Sequence, residues 1–204
     1  PIAITGSTVY LVGSNPNTSD SVIIGASAGA KDATAGSSVA IGGFAGSGSY
    51  SGSLAVNIGR RAGEGAWENA KSVFVGNAAG YQARYANNSV FVGVEAGSGS
   101  NTSSFSQFIG ARSGYGATNA TLATMIGYEA GRFANNASHS FFVGFHAGYA
   151  AVSASYNTLI GFNVGSYTAS AYGLISGSHV SGASGTWGNC LLYTSDAADD
   201  TPCV

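Results

Sequence analysis

Charged residues are scarce in this chain. Lys, Arg, Asp and Glu make up 8% of its 204 residues, whereas about a quarter of an ordinary soluble domain is charged. The formal net charge of −2 leaves no basic face for nucleic acid. No apolar run approaches the ~20 residues of a membrane helix, so we expect neither a nucleic-acid partner nor membrane insertion in this segment.

Cysteine, proline and histidine are also rare, with two, three and three residues. No proline lies between Pro16 and Pro202, as expected if the backbone N–H groups there serve in sheet hydrogen bonds. No Cys/His cluster has the spacing of metal ligands. Glu64 and Glu68 form the nearest acidic pair, and a solvated loop explains them better than a glycosidase site. We therefore expect a non-enzyme without catalytic residues, cofactor or metal.

Glycine is abundant, and its positions reveal a tandem repeat. A glycine preceded by Ile or Val recurs at every seventeenth position, at Gly25, Gly42, Gly59, Gly76, Gly93, Gly110, Gly127, Gly144 and Gly161. A second glycine follows four positions later in every unit, from Gly29 to Gly165. Both sets predict corners with positive φ, which glycine adopts without steric penalty.

Each unit contains one short strand signal, such as Val73-Phe74-Val75 before Gly76. A helical repeat needs about 30 residues or more, so the shorter unit here favours one turn of a narrow β-solenoid. The predicted fold is all-β: a β-solenoid, or β-roll, of about nine 17-residue coils stacked ~4.8 Å apart. This repeat domain spans residues 21–172.

Both ends of the chain depart from the repeat. We interpret residues 1–20 as a truncated repeat at the start of a fragment, and residues 173–189 as an irregular Gly/Ser-rich extension. Residues 190–204 begin C-L-L-Y-T-S, as a transposon-type sequencing adapter would encode if translated. We interpret them as non-native read-through; the alternative is a natural acidic tail, in which Cys190 and Cys203 could form a disulfide.

Strand geometry sends the residues one and three before the first glycine to the same side. Both positions are rich in Ile and Val, so we predict that they face the interior. The alanine before the second glycine is predicted to line the opposite wall of a thin core. This alanine occurs at Ala28, Ala45, Ala62, Ala79, Ala96, Ala130 and Ala147.

The residue between the two Ile/Val columns is then predicted to point outward. An outward apolar stripe is unusual on a soluble monomer, so we predict that it is buried between the chains of a trimeric fibre. The alternative assignment exchanges the two faces and places this column in the core. The candidate interface stripe consists of Ile23, Phe74, Phe91, Phe108, Met125, Phe142 and Leu159.

The repeat register also predicts neighbours on the surface. Glu95, Arg112 and Glu129 occupy the same position in three successive units and should form a row of alternating charge. Trp67 and Arg84 share another column, which allows a cation–π contact. Aromatic residues cluster after the second glycine, where they either stack on sugars or cap the corner of the coil. They are Tyr81, Tyr115, Phe133, Tyr149 and Tyr167.

The segment 157–165 reads N-T-L-I-G-F-N-V-G. It resembles the N-T-A-[IV]-G-Y-N-A repeats of phage tail-fibre and bacterial surface proteins, many of which end in an endosialidase-type intramolecular chaperone domain. The [S/N]-V-x-[IV]-G core is also similar to head repeats of trimeric autotransporter adhesins, which use a shorter unit. The second glycine departs from the tail-fibre pattern, which usually has Leu there. Both resemblances imply a homotrimeric fibre that displays binding surfaces.

We therefore expect a non-catalytic fibre or adhesin segment, located outside the cell on a bacterial surface or a phage virion. Its expected partners are two further copies of the chain and a cell-surface glycan or protein receptor. Two alternatives remain open at this point: an ice- or glycan-binding β-solenoid, and a fragment of a tailspike-like polysaccharide depolymerase.

Overall fold

The computed structural model describes residues 21–29 and 38–167 in full, and the backbone of residues 173–178 and 192–194. The truncated repeat predicted in residues 1–20 lies outside this part. So do residues 168–172, and so does most of the segment 190–204 that was interpreted as read-through. The fold is all-β and contains no helix in the described residues.

The repeat units form a single parallel sheet, with one short strand per unit. Each of these strands pairs with the next in the register of the repeat, so that Val73 pairs with Val90. The predicted β-solenoid is therefore confirmed. The strands, ordered β1 to β11 across the sheet, are β1 Val22–Ile24, β2 Val39–Ile41, β3 Val56–Ile58, β4 Val73–Val75, β5 Val90–Val92, β6 Gln107–Ile109, β7 Thr124–Ile126, β8 Phe141–Val143, β9 Asn157–Phe162, β10 Gly173–Ser178 and β11 Leu192–Thr194.

The sheet continues past the point where the sequence repeat fails. Strand β10 lies within the segment 173–189, which the sequence analysis treats as irregular. Gly173 pairs with Asn157, so the offset between β9 and β10 is one position shorter than between the repeats. The usual offset returns where Ile175 pairs with Leu192.

A second row of backbone pairing closes the other side of each coil. Single parallel bridges join equivalent residues of successive coils in the order Tyr50, Trp67, Arg84, Asn101, Thr118, Asn135 and Val152. We call these residues the bridge column. Each of these coils is thus held to the next on both sides, by the strand and by this bridge.

The structure overturns the predicted orientation of the strands. Six residues of the candidate interface stripe, Phe74, Phe91, Phe108, Met125, Phe142 and Leu159, are fully buried, and Ile23 is half-buried. The Ile/Val columns predicted to face the interior instead point outward, with Val73 and Val75 half-exposed. The prediction that the stripe points outward is therefore wrong, and the alternative assignment, which places the stripe in the core, is correct.

Space inside the coil explains this orientation. The alanine wall is buried as predicted, for example at Ala79 and Ala96. Ala83 and Ala86, at two further inward positions of the same coil, are also fully buried. With such small residues on the other walls, one large side chain per coil fills the core at normal packing density.

The buried aromatic residues stack along the solenoid axis. The ring centroids of Phe74 and Phe91 are 4.9 Å apart, and those of Phe91 and Phe108 are 4.6 Å apart. The second glycine of the unit makes room for each ring. A Cβ added to Gly80 (φ +62°) would lie 2.5 Å from Cδ2 of Phe74. The predicted positive φ of this glycine is confirmed. The close approach of the Phe74 ring is a second reason why only glycine fits at this position.

In six of the nine repeats a serine stands directly before the strand motif, and such serines bond one coil to the next from inside. Ser89 Oγ donates to the carbonyl oxygen of Ser103 at 2.7 Å and accepts from the backbone N–H of Ser106 at 3.2 Å. Ser106 repeats both bonds with Ala120 and Ala123. These serines were not among the residues predicted to have a role, although their recurrence four positions before the first glycine is visible in the sequence.

Replacing Phe91 with alanine should destabilise the solenoid far more than the same change at Val90. Phe91 is fully buried between two rings, so Phe91→Ala should lower the free energy of unfolding by about 3–5 kcal/mol. Val90 points outward and Val90→Ala should cost below about 1 kcal/mol. Urea unfolding followed by circular dichroism measures both. Equal losses, or a larger loss at Val90, would contradict the buried orientation of the stripe.

Candidate functional site

Outward-facing residues form continuous columns along the solenoid, since each coil repeats the same geometry. Three surfaces stand out. The sheet face carries the two Ile/Val columns, the charged corner follows the first glycine, and a groove runs beside the bridge column. Each of these surfaces requires the stacking of several coils, so a single repeat forms none of them.

The sheet face is apolar along β1 to β5, and in β6 to β9 one of its two columns also carries the uncharged polar residues Gln107, Thr124 and Thr158. Neither Ile/Val column contains Asp, Glu, Lys or Arg, and three isoleucines in the middle and at the end, Ile58, Ile109 and Ile160, are 37%, 36% and 38% exposed. In the last three repeats the residue after the first glycine is aromatic, and Tyr128, Phe145 and Phe162 form a row along one edge of the face, whereas Arg60 and Asn77 stand at this edge in earlier repeats. The rings of this row stack, with centroids 5.2 Å apart for Tyr128 and Phe145.

The size of the sheet face is set by the strand geometry. Nine strands at ~4.8 Å spacing extend about 40 Å, and the outward residues span roughly 13 Å across the strands. Two such faces in contact would bury about 1,000 Å², which reaches the lower range of specific protein interfaces. An apolar, uncharged composition is also typical of the centre of an interface.

The charged corner confirms the predicted row of alternating charge. Arg112 bridges two carboxylates, with Nε 2.8 Å from Glu95 Oε2 and Nη1 3.3 Å from Glu129 Oε1. Glu129 also accepts from Nη1 of Arg132 at 3.0 Å. Nε2 of His146 lies 3.0 Å from Glu129 Oε2, a close contact without the alignment of a hydrogen bond.

Glu129 is the buried centre of this corner, with 4% of its surface exposed. Burial by itself raises the pKa of its carboxyl, because it penalises the charged form. The hydrogen bonds from Arg112 and Arg132, together with the charges of Arg132 and His146, outweigh that effect and hold the pKa of Glu129 below its usual value. The carboxylate is therefore ionised as a structural anion.

The aromatic residues after the second glycine contact one another and the charged corner. The guanidinium of Arg132 lies 4.6 Å from the centroid of the Phe133 ring. Phe133 in turn meets Tyr115 edge-on at 5.6 Å and Tyr149 at 6.3 Å. In an earlier coil, Arg61 covers the Tyr81 ring at 4.3 Å. These contacts favour the capping of the coil corner over the stacking on sugars.

The groove lies between the bridge column and the coil corner that carries the second glycine. Its volume is about 530 Å³. Its bridge-column wall is formed by Trp67, Arg84, Asn101 and Thr118 from four successive coils. The lining residues are Gly65, Trp67, Gln82, Arg84, Gly99, Ser100, Asn101 and Thr118.

Trp67 and Arg84 are adjacent in the bridge column, as the register predicts. The cation–π contact between them does not form, since in the described residues only Arg61 and Arg132 make such contacts. The indole of Trp67 instead stacks on the ring of Tyr50, with centroids 4.7 Å apart and planes inclined by 14°. Sequence reasoning found both groove residues but not the groove.

The acidic pair that the sequence offers and possible metal ligands were located in the described part of the chain. Glu64 of the nearest acidic pair is bound to Arg61, with Oε2 2.7 Å from Nε. No group of three or more His, Cys, Asp or Glu residues is arranged to hold a metal ion within residues 21–29 and 38–167. No helix in the described part is both long and apolar enough to cross a membrane.

Comparison of the chain with protein-family models, with curated proteins and with solved structures found no significant match.

Removing the charge of Glu129 should make stability less dependent on acid. Because its pKa is lowered on folding, this carboxylate stabilises the native state above the unfolded pKa of about 4.3, and the contribution disappears as the pH falls through the lower folded pKa. Glu129→Gln should therefore lower the free energy of unfolding by about 1–3 kcal/mol at neutral pH and flatten its decline between about pH 5 and pH 3.

Glu68→Gln is the matched control, since Glu68 forms no ion pair in the described residues. Urea unfolding from pH 3 to pH 7 compares the two variants. If Glu129→Gln retained the full acid dependence of the unchanged protein, the lowered pKa of Glu129 would be refuted.

Proposed function

We propose that this chain is a non-catalytic structural segment of an extracellular fibre or adhesin, in which copies of the chain pack together through the sheet face. The observation that carries the proposal is the uncharged sheet face of β1 to β9. One of its columns is Ile or Val throughout, and the other is Val in β1 to β5 and Gln107, Thr124, Phe141 and Thr158 in β6 to β9. Apolar patches of this size on a protein surface often mark the place where another protein binds.

A second copy of the same chain suits this surface better than an unrelated partner. The side chains repeat at the spacing of the strands, so two copies can align their rows over the full length of the face. The area of about 1,000 Å² for one pair of faces matches the smaller specific interfaces. Three copies in parallel would bury these faces around a common axis, which is the homotrimer implied by the resemblance to fibre repeats.

The architecture of the coil is consistent with a rod that separates or supports binding regions. Every described coil is bonded to the next by a strand pair, and most also by a backbone bridge. Such continuous pairing gives a stiff extension of about 40 Å for nine coils. A place on a bacterial surface or a phage virion belongs to the same proposal, and the resemblance of the N-T-x-[IV]-G repeats supports it.

Replacing one isoleucine in the middle of the face tests the proposal. Ile109→Lys puts a charge at the last residue of β6, near the middle of the sheet face, where burial against another chain would leave it unpaired. We expect the unchanged protein to be a trimer by light scattering coupled to size-exclusion chromatography. The variant should associate at least about a hundredfold more weakly while its circular dichroism stays the same.

Val152→Lys provides the control. Val152 is also apolar and exposed, at 44%, but it belongs to the bridge column on the other side of the coil. This variant should remain a trimer. A monomeric unchanged protein at micromolar concentration, or equal dissociation by both variants, would overturn the proposal. Thermal hysteresis by such a monomer would instead support ice binding by the regular face.

A further inference from the structure

We propose that the groove beside Trp67 and Arg84 binds an oligosaccharide that carries a carboxylate group. This inference adds a ligand to the proposed fibre or adhesin role and rests on that role only for its biological context. The site itself lies on the bridge-column side of the coil and needs no second chain.

Missing side chains create the groove. Gly65 and Gly99 occupy the same position two coils apart, with Gln82 between them. A Cβ added to Gly99 would meet no atom within 4 Å, so the space beside it is open. One coil later, a Cβ on Gly116 would lie 2.8 Å from Cδ1 of Phe133. The Phe133 ring therefore occupies that space and limits the groove at this end.

An exposed indole stands at the other end. Trp67 is 46% exposed, although it is among the largest apolar side chains in the described chain. Tyr50 covers one face of the indole by stacking. The remaining indole surface offers the flat apolar platform that the C–H groups of a sugar ring pack against, since the aromatic face carries partial negative charge.

Polar groups with hydrogen-bonding capacity line the rest of the groove. Gln82 and Asn101 present amide groups, which both donate and accept. The Thr118 hydroxyl donates to Asn135 Oδ1 at 2.6 Å, so it offers the groove an acceptor. The Gln82 side chain makes no hydrogen bond in the described part of the structure. Paired hydroxyls of a sugar ring are suitable partners for such amides.

Arg84 indicates the charge of the ligand. Arg61, Arg112 and Arg132 form ion pairs with glutamates, whereas Arg84, like Arg60 outside the groove, forms none within the described residues. Its guanidinium can bind a carboxylate through two parallel hydrogen bonds. A single arginine beside neutral amides does not suit nucleic acid, which requires contacts to several phosphates.

The groove has the length for a short oligosaccharide. Trp67 and Thr118 are three coils apart in the bridge column, which corresponds to roughly 14 Å. A sugar ring on Trp67 would place the next units along Arg84 and Asn101. The ligand would thus run parallel to the solenoid axis.

A panel of immobilised oligosaccharides tests this inference. Fluorescently labelled protein is applied to uronate- and sialate-containing oligosaccharides, together with the neutral counterpart of each. We expect binding to one or more carboxylated members and at least about tenfold weaker binding to the neutral counterpart. The neutral counterpart has no carboxylate to accept charged hydrogen bonds from Arg84. No binding to any carboxylated member, or equal binding to a neutral counterpart, would overturn the proposal.

Substitution of two equivalent glycines distinguishes the groove from the rest of the surface. Gly99→Asn places a side chain in the groove, and asparagine tolerates the φ of +65° found there. Gly48→Asn is the matched control, since Gly48 has φ +69°, an equally open environment and the same position in a coil outside the groove. Gly99→Asn should weaken binding at least about tenfold, and Gly48→Asn should not change it.

Two further variants test the proposed contacts. Trp67→Ala and Arg84→Gln should each weaken binding to the carboxylated oligosaccharide, and Arg84→Gln should also remove the preference over the neutral counterpart. Retained binding in both variants, or equal loss with Gly48→Asn, would refute the site. Repeating the assay with Ile109→Lys separates the two proposals, because the groove should still bind when the chains no longer associate.

Discussion

Successive coils touch through their backbones at the first glycine of each repeat. A Cβ on Gly93 would lie 2.5 Å from the carbonyl oxygen of Gly110 in the next coil, so no other residue fits without moving the chain. The φ of +137° at Gly93 imposes the same restriction. This contact holds neighbouring coils at sheet spacing, and the constant register of strands, bridges and side-chain columns depends on it.

The narrow coil leaves room for one large side chain in its core. Phe74, Phe91 and Phe108 occupy that position in three consecutive coils and stack on one another. Alanine and serine fill the other inward positions, and the buried serines bond to the backbone of neighbouring coils. Most large side chains therefore lie on the outside, which explains why a chain with few charges has a largely apolar sheet face and an aromatic corner.

Stacked columns turn small differences between repeats into distinct surfaces. Glutamate and arginine alternate in one column and form the network around Glu129. In another column, Gly65 and Gly99 open the groove, and Phe133, two coils beyond Gly99, closes it. The sheet face, by contrast, keeps Ile or Val next to the first glycine in all nine repeats. Uniform columns suit contact with a repeating partner, whereas variable columns suit one ligand.

The sequence alone determined the repeat length, the strand in each unit and the parallel stacking of the units. It also determined the positive φ of Gly76 and Gly80 and the pairing of Arg112 with Glu95 and Glu129. All of these follow from the spacing of residues. Only the tertiary structure decided which side of the strand is buried. All three residues of Val73-Phe74-Val75 are apolar. The alternation of side chains along the strand therefore defines two faces but does not show which of them is buried. The space left by the alanine walls selects Phe74. The groove also required the structure, since it depends on four coils lying side by side and on where Phe133 fills the gap.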